Sequence, residues 1–316
     1  MQSAYWQERV QAVGGAAAYL EFSRFASDYL ADAQHQLAHA FGGALYAVEG
    51  RRGVSVCDAQ FSYGCFHVVL GKAINEYGLS EVNALDAICR NSLFKGPEAC
   101  EHGIGHGVVT YVGYTEDALV RSLAACDSLT ESNAGEGCYS GVFMEYNVRT
   151  MLGVSATPRP LVEDNFFAPC DTLASRYRST CAFWQPQWWM YGVYASKTKH
   201  TPDEAFYREL GALCDRIGDH AAVRSCYEGI GYITPTNVGF SPTIASLLCR
   251  ASSVSKLNQL YCVSYAAYVI GSDQSRAQGR QVCTGLTDAG TSFCMDYVEL
   301  RANMFHSRIA PQEEDL

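Results

Sequence analysis

Apolar and polar residues alternate along this chain in blocks. One example runs Ala118-Leu119-Val120, then Leu123-Ala124-Ala125-Cys126, apolar at helical spacing. A polar stretch over residues 130–135 follows, and then the apolar block Cys138-Tyr139-Ser140-Gly141-Val142-Phe143-Met144. Apolar residues recurring every three to four positions predict amphipathic helices, and the polar stretch predicts the turn between them. The helix–turn–helix block recurs, and cysteines punctuate it. The 14 cysteines sort into sequential pairs, 57/65, 89/100, 126/138, 170/181, 214/226, 249/262 and 283/294, and successive pairs begin 32 to 44 residues apart. A period in this range marks an array of supersecondary units. Each unit reads as an αα-hairpin whose disulfide ties the end of its first helix to the start of its second. Such a short closed loop is worth about 3 kcal/mol on the chain-entropy argument. The expected fold class is all-α, an αα-hairpin repeat solenoid wound as a right-handed superhelix with one disulfide per repeat.

Composition narrows this picture. Apolar residues make up 48% of 316, enough for a large core, and neither glycine nor proline concentrates in a linker. One continuous repeat domain over residues 1–310 is expected, with metal-site repeats in about 20–150 and further repeats in about 151–305. Residues 311–316 read as a disordered acidic tail. Near-neighbour pairing of an even cysteine count points to an oxidising compartment, periplasmic or secreted. The alternative is a reduced chain with buried thiols. Met1-Gln2-Ser3-Ala4-Tyr5-Trp6 has neither a basic start nor an apolar core, so the oxidised reading places the export signal or anchor outside this sequence. No apolar run is long enough to predict a membrane-spanning helix. A net charge of −10 without a basic cluster argues against nucleic acid as a partner.

Histidine supplies the candidate chemistry. Five of the eight histidines keep a fixed phase with the repeat: His102 and His106 stand two and six residues past Cys100, and His67 two past Cys65. In the first repeat Ala33 occupies the cysteine position, and His35 and His39 follow at two and six. Glu145 stands seven past Cys138, just off the register. Residues four apart share a helix face, so His35/His39 and His102/His106 can each present two imidazoles to one ion. Stacking of second helices side by side would line the offsets up as a stripe along one wall. Gly103, Gly105 and Gly107 sit among these residues, each costing about 1 kcal/mol against alanine in a helix. Close helix approach or open space above a metal would offset that cost. Gly71 holds the sixth offset in the second repeat.

The chain resembles two groups of proteins. The array of disulfide-closed hairpins is similar in architecture to cysteine-rich repeat proteins related to tetratricopeptide repeats, although the cysteine spacing here is longer. The strings His35-x3-His39-x2-Gly42, Gly64-Cys65-Phe66-His67, Cys100-Glu101-His102-Gly103-Ile104-Gly105-His106-Gly107 and Cys138-x2-Gly141-Val142-Phe143-Met144-Glu145 also resemble a group of uncharacterised bacterial Cys/His-motif repeat proteins. Neither resemblance implies an activity.

His35, His39, His67, His102, His106 and Glu145 are therefore the expected metal ligands, with Glu145 also the candidate catalytic carboxylate and Asp32 a remote second. Five imidazoles and a carboxylate suit two ions, each with open coordination positions. Imidazole-rich ligation favours copper, with iron and zinc close behind. The expected function is an exported dinuclear metalloenzyme, an oxidoreductase that activates O2 or oxidises a small molecule. A zinc hydrolase using metal-bound hydroxide and a non-catalytic metal-binding scaffold with a protein partner on its concave face are the alternatives. Three further features are read with them. Phe183-Trp184-Gln185-Pro186-Gln187-Trp188-Trp189-Met190-Tyr191 is either an aromatic wall beside the metals or a core plug around a kink. The recurring Cys-Asp pairs read as a polar cap near each loop. Tyr63, Tyr139 and Tyr146 are candidate donors behind the ligands, whereas His200, His220 and His306 fall off the stripe.

Overall fold

The computed structural model describes the chain apart from residues 1, 59, 92–96, 130–136, 155, 161, 163, 191–202 and 300–308. Among the described residues the protein is all-α, without strands. The helices run α1 (Gln2–Val13), α2 (Gly15–Ala26), α3 (Ala31–Glu49), α4 (Gly64–Tyr77), α5 (Val82–Asn91), α6 (Pro97–Val112), α7 (Glu116–Cys126), α8 (Gly137–Met151), α9 (Ser175–Gln187), α10 (Glu204–Asp215), α11 (His220–Asn237), α12 (Pro242–Ala251), α13 (Lys256–Asp273), α14 (Arg276–Val282) and α15 (Asp288–Glu299). All 14 cysteines are joined in the seven sequential pairs. Disulfides in this number belong to a chain folded in an oxidising, extracytoplasmic compartment. No helix among the described residues is long and apolar enough to cross a membrane.

The chain divides into two compact units, one of Met1–Ser132, Glu136–Arg149 and Ser155–Arg159, the other of Asn133–Gly135, Thr150–Val154 and Pro160–Leu316. In the N-terminal unit α3 packs on α4, and α4 on α6. In the C-terminal unit α9 packs on α11, α11 on α13 and α13 on α15, while α10, α12 and α14 form the companion row. Two hairpins depart from the expected form. Cys57 follows a 3-10 helix, Gly50–Val56, and Cys170 lies in a run of turns, so in neither does an α-helix end at the first cysteine. The predicted loop at 130–135 lies outside the described residues.

Each recurrent Cys-Asp pair places its carboxylate on a hydroxyl or amide donor. Tyr139 donates to Asp127 at 2.7 Å and Tyr227 to Asp215 at 2.8 Å. In both pairs the tyrosine directly follows the second cysteine of the same hairpin, so the hydrogen bond doubles the disulfide across the loop. Asp58 and Asp171 receive Tyr19 and Asn165 instead. The acidic tail is ordered at its end rather than free. Glu313, in the short 3-10 turn Glu313–Asp315, accepts the backbone N–H groups of Lys256 and Leu257 and the Ser255 hydroxyl. Unsatisfied donors at a helix start attract a carboxylate, which is why this segment docks despite its composition.

The glycine run in α6 is explained by close approach. A Cβ on Gly105 would collide with the Cys138 carbonyl, and one on Gly141 with the His102 carbonyl. Gly107 faces Gly71 of α4, where an added Cβ would sit 3.0 Å from the Gly71 Cα. Helix propensity alone makes Gly→Ala stabilising by about 1 kcal/mol. Overpacking reverses the sign, so Gly105→Ala and Gly141→Ala should each lower stability by about 1–3 kcal/mol. Chemical denaturation measures this, and a gain in stability for either variant would show that α6 and α8 do not touch there.

Candidate metal centre

The five phased histidines come together in the N-terminal unit. α3 carries His35 and His39, α4 carries His67, and α6 carries His102 and His106. They form two triads, His35–His39–His67 and His67–His102–His106, in each of which the ligand nitrogens lie within 4.8 Å of one another. His67 belongs to both. Its ring centroid is 5.5 Å from His35, 5.7 Å from His39, 4.4 Å from His106 and 6.1 Å from His102.

The second nitrogens of these rings show which atom faces inward. His35 Nδ1 is 2.9 Å from the Phe61 carbonyl, so it donates there and leaves Nε2 as the lone pair. His106 Nδ1 is 2.8 Å from Glu145 Oε2, and its Nε2 is 3.0 Å from His102 Nε2. Two nitrogens bound tetrahedrally to one ion at ~2.0–2.1 Å stand about 3.3 Å apart, so the His102 and His106 nitrogens are already near ligand separation. His39 Nε2 and His67 Nε2 are buried without a hydrogen-bond partner. Buried polar atoms are normally satisfied; two such imidazole nitrogens in one cluster are available to an electron-pair acceptor.

Glu145 enters the site through His106. Its Oε2 meets His106 Nδ1 and its Oε1 accepts the Tyr114 hydroxyl at 2.8 Å. Both oxygens are engaged on the far side of the ring from Nε2. The carboxylate expected among the ligands lies in this structure behind the His106 ring, where it meets Nδ1 and orients the imidazole. The reason is reach: at seven residues past its cysteine the side chain arrives behind His106 and not beside it.

Electrostatics lower the proton affinity of three of these rings. Burial, then the neighbouring imidazoles His35 and His106, lowers His39 to about 4. Burial, then His106, pushes His67 and His102 well below the usual imidazole value. Glu145 feels burial upward, but the hydrogen bond and charge of His106, with Tyr114 and Arg149, outweigh it and hold the carboxyl below its ordinary range. Burial and then the Glu145 charge raise Tyr114 to about 12, so it stays a protonated donor. Metal ligation needs deprotonated imidazole, and three of the five rings meet that condition without help from the ion.

Of the tyrosines proposed as donors, only Tyr63 lies by a ligand, its ring 6.2 Å from His102. Tyr139 serves Asp127, and Tyr146 is buried under Arg159. The donor that matters, Tyr114, follows α6 beyond Gly113, whose φ is 111°; no periodic signal points to it. The Phe61 carbonyl was equally invisible. It is presented by a turn in which Phe61 and Tyr63 both take positive φ, 57° and 64°, an unusual conformation for bulky residues that tends to collect at functional sites. Phe183, Trp184, Trp188 and Trp189 are all buried. Phe183 and Trp184 pack on Tyr232 in the C-terminal unit, so the aromatic segment is core. Tyr191, His200, His306 and the Asp32 side chain lie outside the described part, and His220 opens α11.

Comparison with protein families, with curated proteins and with solved structures finds no match for this chain.

Two outcomes are expected. Glu145→Gln keeps an acceptor for His106 but removes the charge, and should weaken metal binding about 10–100-fold with little change in the unloaded fold; a competition titration reads the affinity, and an unchanged value would remove Glu145 from the site. The second concerns acid. His39, His67 and His102 have folded pKa values below the unfolded value near 6.5. The folded state therefore holds fewer protons, and the contribution to stability, complete above about pH 6.5, is lost as pH falls toward 4. Urea denaturation of the metal-free protein should show this loss, and it should be shallower in the combined His39→Asn, His67→Asn, His102→Asn variant. Equal slopes in the two proteins would contradict it.

Proposed function

We propose that the chain is an exported metalloenzyme, periplasmic or secreted, whose histidine cluster holds copper and serves an oxidoreductase that oxidises a small molecule or activates O2. The observation that carries this reading is the triad His67–His102–His106, three convergent imidazoles with His106 held from behind by Glu145 and Tyr114. Three protein ligands leave a coordination position for a substrate. The ligand set is neutral, and Glu145 is the one carboxylate in hydrogen-bond contact with it among the described residues. A buried ion with little counter-charge is costly, which favours univalent copper over a divalent ion and agrees with the preference of imidazole for copper.

Copper, when bound, would supply one-electron chemistry at the open position. The protein's own groups would do the rest: His102 and His106 would hold the ion, Glu145 orients His106 through Nδ1, and Tyr114 donates to Glu145. A zinc hydrolase is the second reading, favoured by the same carboxylate–histidine pair, which also occurs behind zinc-bound imidazoles.

Elemental analysis of protein taken from its native compartment tests the choice. Copper is expected, colourless while univalent and gaining a visible band on oxidation. Full occupancy by zinc would move the assignment to the hydrolase, and protein without a transition metal would refute both. His102→Ala and His106→Ala should each release the metal while circular dichroism and disulfide content stay as in the wild type.

A further inference from the structure

Resting on that reading, the geometry points to a loading path: we infer that His35 and His39 form an outer receiving pair, and that His67 hands an ion from this pair to the inner pair His102 and His106.

The argument begins with a count of atoms. His35 and His106 have their Nδ1 atoms engaged by Phe61 and Glu145, which turns their Nε2 atoms inward. His102 meets His106 through Nε2. His39 and His67 keep buried Nε2 atoms without partners. The cluster is thus lined by Nε2 atoms, one per ring. His67 is a member of both triads and has a single Nε2 to give. Two ions cannot each hold three Nε2 ligands here, because that needs six and five are present. One triad is complete only while the other lacks His67.

The two ends of the cluster differ. His102 and His106 are 7% and 8% exposed, whereas His35, His39 and His67 are half-buried. The inner pair is also the more firmly held, with Glu145 and Tyr114 behind His106. At the centre, the His67 ring makes no hydrogen bond among the described residues, and nothing polar has to be broken for it to turn. An ion first held by His35, His39 and His67 therefore reaches His102 and His106 by stepwise ligand exchange. Each step makes one ion–nitrogen bond and breaks one, His67 stays attached throughout, and no electron is transferred. The outer pair is left free to receive again.

Stopped-flow mixing of the metal-free, disulfide-intact protein with Cu(II), followed by its visible absorption and by freeze-quench electron paramagnetic resonance, tests this. Cu(II) is the probe because it binds such nitrogen sites most tightly among the divalent ions of its series. The wild type should load in two phases, the first dependent on copper concentration and the second not. His102→Asn with His106→Asn should keep the first phase alone. His35→Asn with His39→Asn should lose it, yet arrive slowly at the wild-type final spectrum. His67→Asn, which removes a ligand of both triads, should weaken the first phase and never reach that spectrum. Circular dichroism checks that each variant is folded. The relay is overturned if the variant lacking His35 and His39 loads at the wild-type rate, or if its final spectrum differs, which would make those residues permanent ligands. Wild-type protein that takes up no copper refutes the proposed function itself. Uptake in a single phase refutes only the relay.

Discussion

Where α6 meets α8, backbone rests on backbone: Gly105 lies against the Cys138 carbonyl and Gly141 against the carbonyl of His102. A histidine side chain is short, and rings on separate helices come within 4.4–6.1 Å of each other only if the helices themselves are close. Glycine supplies that closeness between α4, α6 and α8, and also at Gly42 and Gly64, where α3 meets α4. The loss of helix propensity at these positions is the condition for every other feature of the site. Glu145 reaches His106 because α8 lies against α6, and Phe61 reaches His35 because the start of α4 lies against α3.

Closeness of this kind creates a polar problem that the two units resolve differently. Two residues past the cysteine of α11 stands Glu228, fully buried, with Arg224 at 2.9 Å and the Tyr297 hydroxyl at 2.7 Å on the same oxygen. The register position that carries imidazole in α4 and α6 carries an internally matched ion pair there. One carboxylate oxygen of that pair takes both its donors from the same unit. The N-terminal unit instead gathers imidazoles around one another, and burial lowers the proton affinity of His39, His67 and His102 among them. Under the proposed function, a bound ion would be the partner these nitrogens share.

The hairpin framework and the histidine cluster were legible in the sequence because both rest on periodicity. Cysteine pairs at regular spacing gave the connectivity, and histidines at fixed offsets gave the shared face. Other features follow from geometry that no period encodes. Tyr114 approaches Glu145 from a turn after α6, and the Phe61 carbonyl is a backbone group whose direction depends on two left-handed residues. Glu145 comes to the back of a ring for a related reason: a one-residue shift in offset on a helix is a rotation of about 100°, enough to bring the carboxylate to Nδ1 of His106. Helix starts also escaped the reading. In α4 and α8 the cysteine is the second residue, whereas in α9, α11, α13 and α15 it is the seventh, so the same offset from cysteine falls at different depths along the helix.

The disulfides have a consequence for how this protein can be disarmed. Many small metal-binding domains use the ion as their fastener, and a chelator unfolds them. Here the helices bearing His67, His102 and His106 are each pinned by a covalent tie near their start, at Cys57–Cys65 and Cys89–Cys100. Under the proposed function, filling and emptying the cluster would thereby be separated from folding and unfolding. A chelator should leave an intact, refillable shell, whereas a thiol reductant attacks the frame and leaves the ligands with no common address. Two different classes of solute would then govern the protein's metal content and its survival.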